Sequence, residues 1–230
     1  MATRRTHPRT SRLHKNPRNV FEFEDRALIE GRRCIIGVDE AGRAPLAGPV
    51  VAAAVWLKDR NFSVSIRDSK KMTARQRETA LLEIQQRAYV GIGIISETVI
   101  DEHNILRATF MAMTNAVNDL LAGVRRDPTL KIADRDIKLL IDGPYFKSDL
   151  SYAFEPIIQG DDRSFSIACA SVVAKVTRDR ILRAYDRVFP GYGFERHKGY
   201  PTAFHLETLA RLGPSLIHRK TFKYVRPASR

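Results

Sequence analysis

Three apolar runs in this chain each end at, or close to, an acidic residue. They are residues 35–38 before Asp39 and Glu40, residues 139–141 before Asp142, and residues 157–158 before Asp161. Short apolar runs bounded by glycine are typical of buried strands. An ionised carboxylate at the end of such a strand is costly unless a cation or hydrogen bonds compensate it. One such acid is usually a turn or helix-capping residue, but three in one chain favour a shared site.

If the three strand ends converge, the repulsion between their carboxylates requires a divalent cation. Hard oxygen ligands suit Mg²⁺ or Mn²⁺. Asp39 and Glu40 present a geometric difficulty, because adjacent strand residues point to opposite faces. Both serve one site only if the strand stops there, as Ala41-Gly42 would allow, or if one of them binds through its backbone carbonyl. From these residues we predict metal-dependent phosphotransfer or hydrolysis on a polyanion.

Other catalytic motifs fit the sequence poorly. The histidines have neither metalloprotease spacing nor cysteine partners. The segment from Gly42 to Gly48 is one residue too long for a phosphate-binding loop and is followed by proline instead of lysine. Gly191-Tyr192-Gly193 follows a predicted helix, whereas a dinucleotide-binding turn follows a strand. These observations leave the acidic residues as the main candidate site.

Composition excludes a membrane span of ordinary length and a disulfide-bonded framework. The longest apolar run, residues 50–57, falls well short of the roughly 18 residues that a membrane helix needs. The two cysteines, Cys34 and Cys169, lie in separate apolar stretches. We therefore expect a reducing, cytoplasmic location.

Basic residues are concentrated at the two ends of the chain. The net charge is +13, yet residues 1–20 and 211–230 each carry six Lys or Arg and no acid, so the middle is nearly neutral. Such segments suit a polyanion partner, because each cation that meets a phosphate releases condensed counterions. A solvated segment that aids solubility is the alternative. Pro8 and Pro17 oppose an amphipathic targeting helix, so we predict that residues 1–20 form a disordered basic extension.

The order of the remaining segments predicts an α/β fold. Strands are expected near residues 34–38, 50–57, 90–95, 138–141 and 156–159. Helices are expected from a capping box at Thr73 and Gln76 to about Tyr89, and over residues 106–121, 164–189 and 202–212. The first three strands can form a meander, and the last two can add in parallel through helical crossovers. Gly91 and Gly93 suggest close backbone approach.

Several blocks of sequence, taken in order, resemble the bacterial ribonuclease HII family. They are GVDEAGR at 37–43, PLAGP at 45–49, DSKK at 68–71, LIDG at 140–143, AKVTRDR at 174–180, YGF at 192–194, HKGYPT at 197–202 and HR at 218–219. The resemblance runs from about residue 34 to 223. It implies a ribonuclease H-like α/β domain at 21–190, with a five-stranded mixed sheet flanked by helices. A small C-terminal helical segment and basic tail would follow at 191–230.

The resemblance also implies an activity. It is that of a metal-dependent endoribonuclease, which hydrolyses the RNA strand of RNA–DNA hybrids and cuts duplex DNA at single ribonucleotides. The products carry 5′-phosphate and 3′-hydroxyl ends, and catalysis uses two Mg²⁺ or Mn²⁺ ions. The family's catalytic and metal-binding acids fall on Asp39, Glu40, Asp142 and Asp161. Asp162 and Asp179 are the nearest alternatives for the fourth position, and Asp179 is expected to be helical and salt-bridged.

Substrate contacts are implied by the same resemblance. Recognising RNA requires a contact to the 2′-hydroxyl, which the family places on a Gly-Arg-Gly segment and on a tyrosine near the following deoxyribose. The matching residues are Gly42, Arg43, Ala44 and Tyr200. Phosphate contacts, which position a duplex without reading its sequence, are expected from Arg43, Lys70, Lys71, Lys175, His197 and Lys198. We expect a monomer that binds hybrid or ribonucleotide-containing duplex and no membrane.

Ala44 departs from the family pattern, which usually has glycine there. Glycine permits positive φ and close approach of the backbone to a ligand. An alanine in the left-handed conformation would be strained by about 1–2 kcal/mol. We therefore predict weaker recognition of the RNA–DNA junction, with folding retained.

Two other functions stay open at this point. One is a binding module that grips hybrids through its basic ends without cutting them. The other is a different metal nuclease of the same fold, such as a junction resolvase, which would cut branched DNA that contains no ribonucleotide.

Overall fold

The structure, a computed structural model, describes residues 19–66 and 69–225. Its strands are β1 (Cys34–Ala41), β2 (Val50–Leu57), β3 (Ala88–Ile95), β4 (Ile137–Asp142) and β5 (Ala153–Ile157). Its helices are α1 (Glu22–Ile29), α2 (Ala74–Arg87), α3 (Glu97–His103), α4 (Ile105–Arg125), α5 (Phe165–Val188), α6 (Phe194–His197) and α7 (Ala203–Leu212). Apart from Asn19 and Val20, the extension predicted at residues 1–20 lies outside the described residues.

The five strands form one mixed sheet in the order β3-β2-β1-β4-β5. Strand β2 is antiparallel to both β1 and β3, while β4 is parallel to both β1 and β5. The expected meander followed by two parallel strands is therefore confirmed, as is the α/β class. Because β1 and β4 are parallel neighbours, the acids that end them come to the same edge of the sheet.

Some local expectations were wrong. The connection from β4 to β5 is not a helix; it packs Phe146 into the core beside α4, with the Phe146 and Phe110 rings 5.7 Å apart. Strand β5 begins earlier than predicted, at Ala153. It also ends earlier, at Ile157, because Gln159 adopts a left-handed conformation with φ 55° and starts a tight turn at Gly160–Asp162. Helices α1 and α3 were not predicted, and α2 ends at Arg87, where β3 follows directly.

The two faces of the sheet are covered by different helices. Alternate residues of β2 point to opposite sides: Ala52 and Ala54 join the core beneath α4, and Ala53 and Val55 join the core beneath α5. Helix α5 is buried along most of its first half, as its nearly continuous apolar sequence predicts. The sheet is thus a central layer, with α4 on one face and α5 on the other.

The chain after α5 packs against the end of that helix. Tyr192 and Phe194 form a small buried cluster with Leu182 and Ile217. The division at residue 190 falls just past the last residue of α5 and stays a prediction. None of the helices within residues 19–66 and 69–225 has the length and hydropathy that a bilayer span requires.

Two glycines of β3 allow α4 to approach closely. A Cβ atom at Gly93 would collide with the backbone carbonyl of Ala112, and one at Gly91 would collide with that of Ala116. The close approach expected at these positions is confirmed. Since backbone atoms on a packed helix cannot move aside individually, these two positions accept no side chain.

We predict that Gly93→Ala lowers the free energy of unfolding by about 1–3 kcal/mol, the usual cost of overpacking a core. The matched control is Gly123→Ala, since Gly123 lies in α4 and no atom of residues 19–66 or 69–225 outside α4 lies within 4 Å of a Cβ built there. In this control the free energy of unfolding is expected to rise by up to about 1 kcal/mol, because alanine favours a helix more than glycine does. Urea denaturation measures both, and equal effects of the two variants would contradict the packing argument.

Candidate active site

Three carboxylates meet at the end of the sheet. Asp39, Glu40 and Asp142 each bring a carboxylate oxygen within 4.8 Å of the others. Asp39 and Glu40 lie near the end of β1, and Asp142 is the last residue of β4. The convergence predicted from the strand-ending acids is therefore present for these three residues.

From the sequence, Asp39 and Glu40 could share one site only if β1 stopped at Glu40 or if one of them bound through its backbone carbonyl; the structure shows that β1 need not stop there. Strand β1 continues to Ala41, and Glu40 pairs with Ala52 of β2. On the other side, the ladder with β4 ends at the pair Val38 and Ile141. Because no strand of the described residues borders Asp39 and Glu40 on that side, both carboxylates can reach the open end of the sheet.

Asp161 lies beside this group but outside it. It belongs to the turn after β5, where the amide of Gly160 donates a 2.7 Å hydrogen bond to the Asp142 carboxylate. The Asp161 carboxylate is buried and accepts a 3.2 Å hydrogen bond from Lys70. The same turn therefore fixes Asp142 and holds a fourth acid next to it.

The alternatives for this fourth position lie elsewhere. Asp162 pairs with Lys71 at 2.7 Å on the outer side of the turn. Asp179 lies on α5, where Lys175 donates to it at 2.8 Å and Arg77 lies 3.7 Å away. Asp179 is thus helical and salt-bridged, as expected.

The three acids destabilise one another's charges. Burial raises the pKa of Asp39 well above its ordinary value, and the charges of Glu40 and Asp142 raise it further. Burial also raises the pKa of Glu40 and Asp142, and the charge of Asp161 adds to the effect on Asp142. Three hard oxygen donors that repel one another in a partly buried position fit a divalent cation such as Mg²⁺ or Mn²⁺.

Ser171 is a site residue that the sequence analysis missed. Its hydroxyl lowers the pKa of Asp39, against the rise caused by burial, and lies 2.8 Å from the hydroxyl of Ser69. Both serines are buried. Ser171 lies within the long apolar stretch of α5, and a polar residue inside such a stretch was the only signal available.

A cleft of about 200 Å³ opens beside the acids. It is lined by Asp39, Glu40 and Asp142 together with the predicted substrate residues Gly42, Arg43, Ala44, Lys70, Lys175 and Tyr200. Its cations are paired with acids: Arg43 lies 3.3 Å from Glu40, and Lys175 donates to Asp179. The cleft therefore combines the acidic cluster with cations whose charge is partly neutralised by carboxylates. This arrangement suits the phosphodiester backbone of a nucleic acid.

Comparison with known proteins supports the same assignment. The sequence profile of the family described as Ribonuclease HII matches residues 36–225. A Ribonuclease HII from Geobacter sulfurreducens is 46% identical over 214 residues, which cover 93% of this chain and 93% of that protein. One from Bacillus subtilis is 46% identical and covers 89% of this chain and 75% of that protein. This chain belongs to the ribonuclease HII family. It is therefore a ribonuclease H, a metal-dependent endoribonuclease.

Solved structures share the fold at lower identity. RNase HII of Archaeoglobus fulgidus, solved in a complex with PCNA, superposes with a TM-score of 0.61 at 22% identity over 83% of this chain and 96% of that one. Bst-RNase HIII in complex with Mn²⁺ gives a TM-score of 0.63 at 16% identity over 86% of this chain and 70% of that one. These likenesses establish the ribonuclease H-like architecture.

In this ribonuclease HII, His197 does not lie at the surface expected for a phosphate contact. Its side chain is buried, its Nδ1 accepts a 3.1 Å hydrogen bond from the amide of Gly199, and its Nε2 lies 2.8 Å from the carbonyl oxygen of Tyr192. Its ring also stacks on His205 at 4.2 Å. Since both ring nitrogens are occupied, His197 holds the loop that carries Tyr200.

The backbone strain expected at Ala44 is absent. Among the described residues, the non-glycine positions with positive φ are Asn104, Gln159 and Lys198. The position that needs glycine is Gly42, with φ 102°, where a Cβ would also collide with the side chain of Arg178. Ala44 is exposed on the cleft and fits its backbone without strain.

Two buried arginines hold residues 42–49, which we call the 42–49 loop. Arg178 of α5 is 1% exposed and donates to the carbonyls of Pro49 and Ala47, both at 2.9 Å. It also donates to the carbonyl of Lys198 at 3.0 Å, so it joins this loop to the segment before Tyr200. This role of Arg178 was not predicted from the sequence.

Arg219 binds the same loop from the C-terminal segment. It is fully buried and donates five hydrogen bonds, of 2.6–2.9 Å, to the carbonyls of Gly42, Arg43, Pro45 and Gly48. Burial lowers the pKa of Arg219 to about 9 and that of Arg178 to about 10, so both stay charged at neutral pH. The planar guanidinium, with five donors, suits this set of carbonyls better than lysine would.

We predict that Arg219→Met lowers the free energy of unfolding by more than about 3 kcal/mol, because each buried carbonyl left without a donor costs about 1–3 kcal/mol. Lys220→Met is the matched control, because Lys220 is the next residue and is exposed. This variant should change the free energy of unfolding by no more than about 0.5 kcal/mol. Urea denaturation provides the measurement. A loss for Arg219→Met no larger than that of the control would contradict the proposed clamp.

Proposed function

We propose that this ribonuclease HII cleaves the RNA strand of RNA–DNA hybrids and cuts duplex DNA at single embedded ribonucleotides, leaving 5′-phosphate and 3′-hydroxyl ends. The observation that carries the proposal is the convergence of Asp39, Glu40 and Asp142 beside the cleft that contains Arg43 and Tyr200. A phosphodiester is an anion, so it approaches three carboxylates only when cations offset their charge.

The acids have distinct proposed roles. Asp39, Glu40 and Asp142 hold Mg²⁺ or Mn²⁺, and Asp161 completes the set of ligands after it releases Lys70. Such ions activate a bound water as a nucleophile and stabilise the charge that develops on the leaving oxygen. The amide of Glu40 keeps the Asp39 carboxylate in place through a 2.6 Å hydrogen bond, and the Ser171 hydroxyl favours its ionised form. The Gly160 amide does the same for Asp142.

Recognition of the ribose is proposed to depend on the 42–49 loop and on Tyr200. Gly42, Arg43 and Ala44 offer backbone groups to the 2′-hydroxyl, and the two buried arginines fix the position of these groups. Tyr200 is 40% exposed, and the Lys175 ammonium lies 5.9 Å from the centre of its ring. This exposed ring is free to pack against the following deoxyribose.

Phosphate contacts are proposed for the cations around the cleft. Arg43, Lys70 and Lys175 line it, and each can exchange its carboxylate partner for a phosphate oxygen. Lys71 and Lys198 lie nearby in the chain but do not line the cleft. These contacts position the duplex without reading its sequence.

We further propose that the protein acts as a monomer in the cytoplasm. Both cysteines, Cys34 and Cys169, are buried and unpaired, which suits a reducing compartment. The catalytic domain would span residues 21–190, followed by the C-terminal helical segment and tail at 191–230.

The substrate proposal is tested with a DNA duplex carrying one ribonucleotide, beside an all-DNA duplex and a branched all-DNA junction. With Mg²⁺ or Mn²⁺ we expect cleavage of the first substrate alone. Binding without cleavage would indicate a hybrid-binding module, and cleavage of the junction would indicate a resolvase. Either result would overturn the proposal.

We predict that Asp142→Asn lowers kcat more than about 100-fold, because changing residues that merely support metal ligands already costs about 10–100-fold. Folding should be retained, since the substitution removes repulsion within the acidic cluster. Mn²⁺ should raise the Tm of the wild type and have a smaller effect on the variant. Asp162→Asn is the matched control, and it should keep nearly full activity. Near-full cleavage by Asp142→Asn would refute the assigned role.

We predict that Ala44→Gly increases cleavage at a single embedded ribonucleotide more than cleavage of a continuous hybrid, because the methyl group faces the cleft where the strand approaches. The Tm should not rise, because Ala44 carries no left-handed strain that glycine could relieve. Steady-state kinetics on both substrates, together with thermal denaturation, measure the two effects. No gain on the single-ribonucleotide substrate would contradict this prediction.

A further inference from the structure

A second, larger depression lies beside α4. It encloses about 840 Å³ and we call it the α4 groove. Its walls are formed mainly by Leu106, Arg107, Phe110, Met111, Tyr145 and Lys147. One wall is the exposed side of α4 and the other is the segment that follows β4. The activity described above assigns nothing to this groove.

The α4 groove is continuous with the acidic cluster. A smaller pocket of about 140 Å³ is lined by Glu40, Arg43 and Asp142 at one end and by Leu106, Phe110 and Tyr145 at the other. The first three residues also line the catalytic cleft, and the last three also line the α4 groove. A chain that occupies the cleft can therefore continue into the groove without leaving the surface.

The cleft and the groove lie toward opposite faces of the sheet. The cleft is bordered by α5 residues such as Lys175 and Arg178, whereas the groove is bordered by α4. These two helices cover opposite faces of the sheet. A strand of nucleic acid that crosses the acids from the Tyr200 side therefore leaves over the end of the sheet toward α4.

The chemistry of the groove suits such a strand. Arg107 and Lys147 are exposed, and neither forms an ion pair with any described residue. Tyr145 is 54% exposed, with its ring held edge-on by Phe110 at 5.8 Å. Proteins that bind single-stranded nucleic acid combine cations, which contact the backbone, with aromatic side chains, which stack on the bases. Asp149, at the groove wall, is the acid that opposes this attraction.

We propose that the α4 groove binds the cleaved strand on its 5′ side, the side away from Tyr200. The direction follows from the role proposed for Tyr200 at the deoxyribose that follows the ribonucleotide. Arg107 and Lys147 contact phosphates, and Tyr145 packs against one sugar or base. This inference rests on the proposed function and adds a binding site to it.

The test uses the full-length protein and duplexes with one ribonucleotide whose 5′ and 3′ arms are shortened separately. In the double variant Arg107→Gln/Lys147→Gln, KM should rise severalfold with kcat unchanged. The slope of log KM against log salt concentration should fall by about 1.8, the value for two lost phosphate contacts. Tyr145→Ala should raise KM about fivefold or more, as the loss of one stacking contact does.

Shortening the duplex arms gives a more specific test than the substitutions alone. Shortening the 5′ arm should raise the KM of the wild type until it equals that of the variants, because the groove is then empty in both. Shortening the 3′ arm should affect the wild type and the variants equally. Arg126→Gln is the matched control: it is exposed at the opposite end of α4, about 28 Å from Arg107 at 1.5 Å per residue. It should leave KM and the salt slope unchanged.

An unchanged KM and salt slope in the groove variants, with a wild type that cleaves normally, would overturn the groove proposal alone. A difference between variants and wild type that persists on the shortened 5′ arm would also overturn it. Failure of the wild type to cut any ribonucleotide-containing duplex would instead refute the proposed function. The two failures are therefore distinguishable in one set of assays.

Discussion

The parallel pairing of β1 with β4 is the interaction on which the site depends. It brings Asp142 to the open end of β1, where Asp39 and Glu40 already lie, and so places three carboxylates within 4.8 Å. Burial raises the pKa of all three, and neighbouring carboxylates, including Asp161 beside Asp142, raise it further. A fold tolerates such repulsion when a bound cation relieves it. The strand order, which brings these carboxylates together, therefore creates a site that requires a metal ion.

The substrate side of the site depends on buried positive charge. Arg178 and Arg219 are almost completely buried, and between them they bind most of the carbonyls of the 42–49 loop. Arg178 comes from the long helix and Arg219 from the C-terminal segment. The loop that meets the ribose is therefore fixed by elements distant in sequence. The cations Arg43 and Lys175 of the cleft are instead paired with carboxylates and are proposed to exchange them for phosphate.

Much of the architecture could be predicted because short sequence patterns indicated the individual strands, helices and close contacts. Apolar runs ending in acids indicated β1 and β4, the capping box indicated α2, and Gly91 and Gly93 indicated the close approach of α4. The predictions that were wrong also concerned short segments. The link from β4 to β5 packs an aromatic ring where a helix was expected, and the start of the turn at Gln159 depends on a left-handed residue that no propensity favours.

The amino-acid sequence by itself determined the residue types of the site, the strand-ending positions of its acids and, through ordered motifs, the family. Only the tertiary structure decided that Asp39 and Glu40 share a site although β1 runs on, because the β4 ladder ends before them. It alone showed that His197 is buried and that Ala44 is unstrained. Burial and backbone conformation arise from contacts between distant segments, and such contacts leave no periodic signal in the sequence.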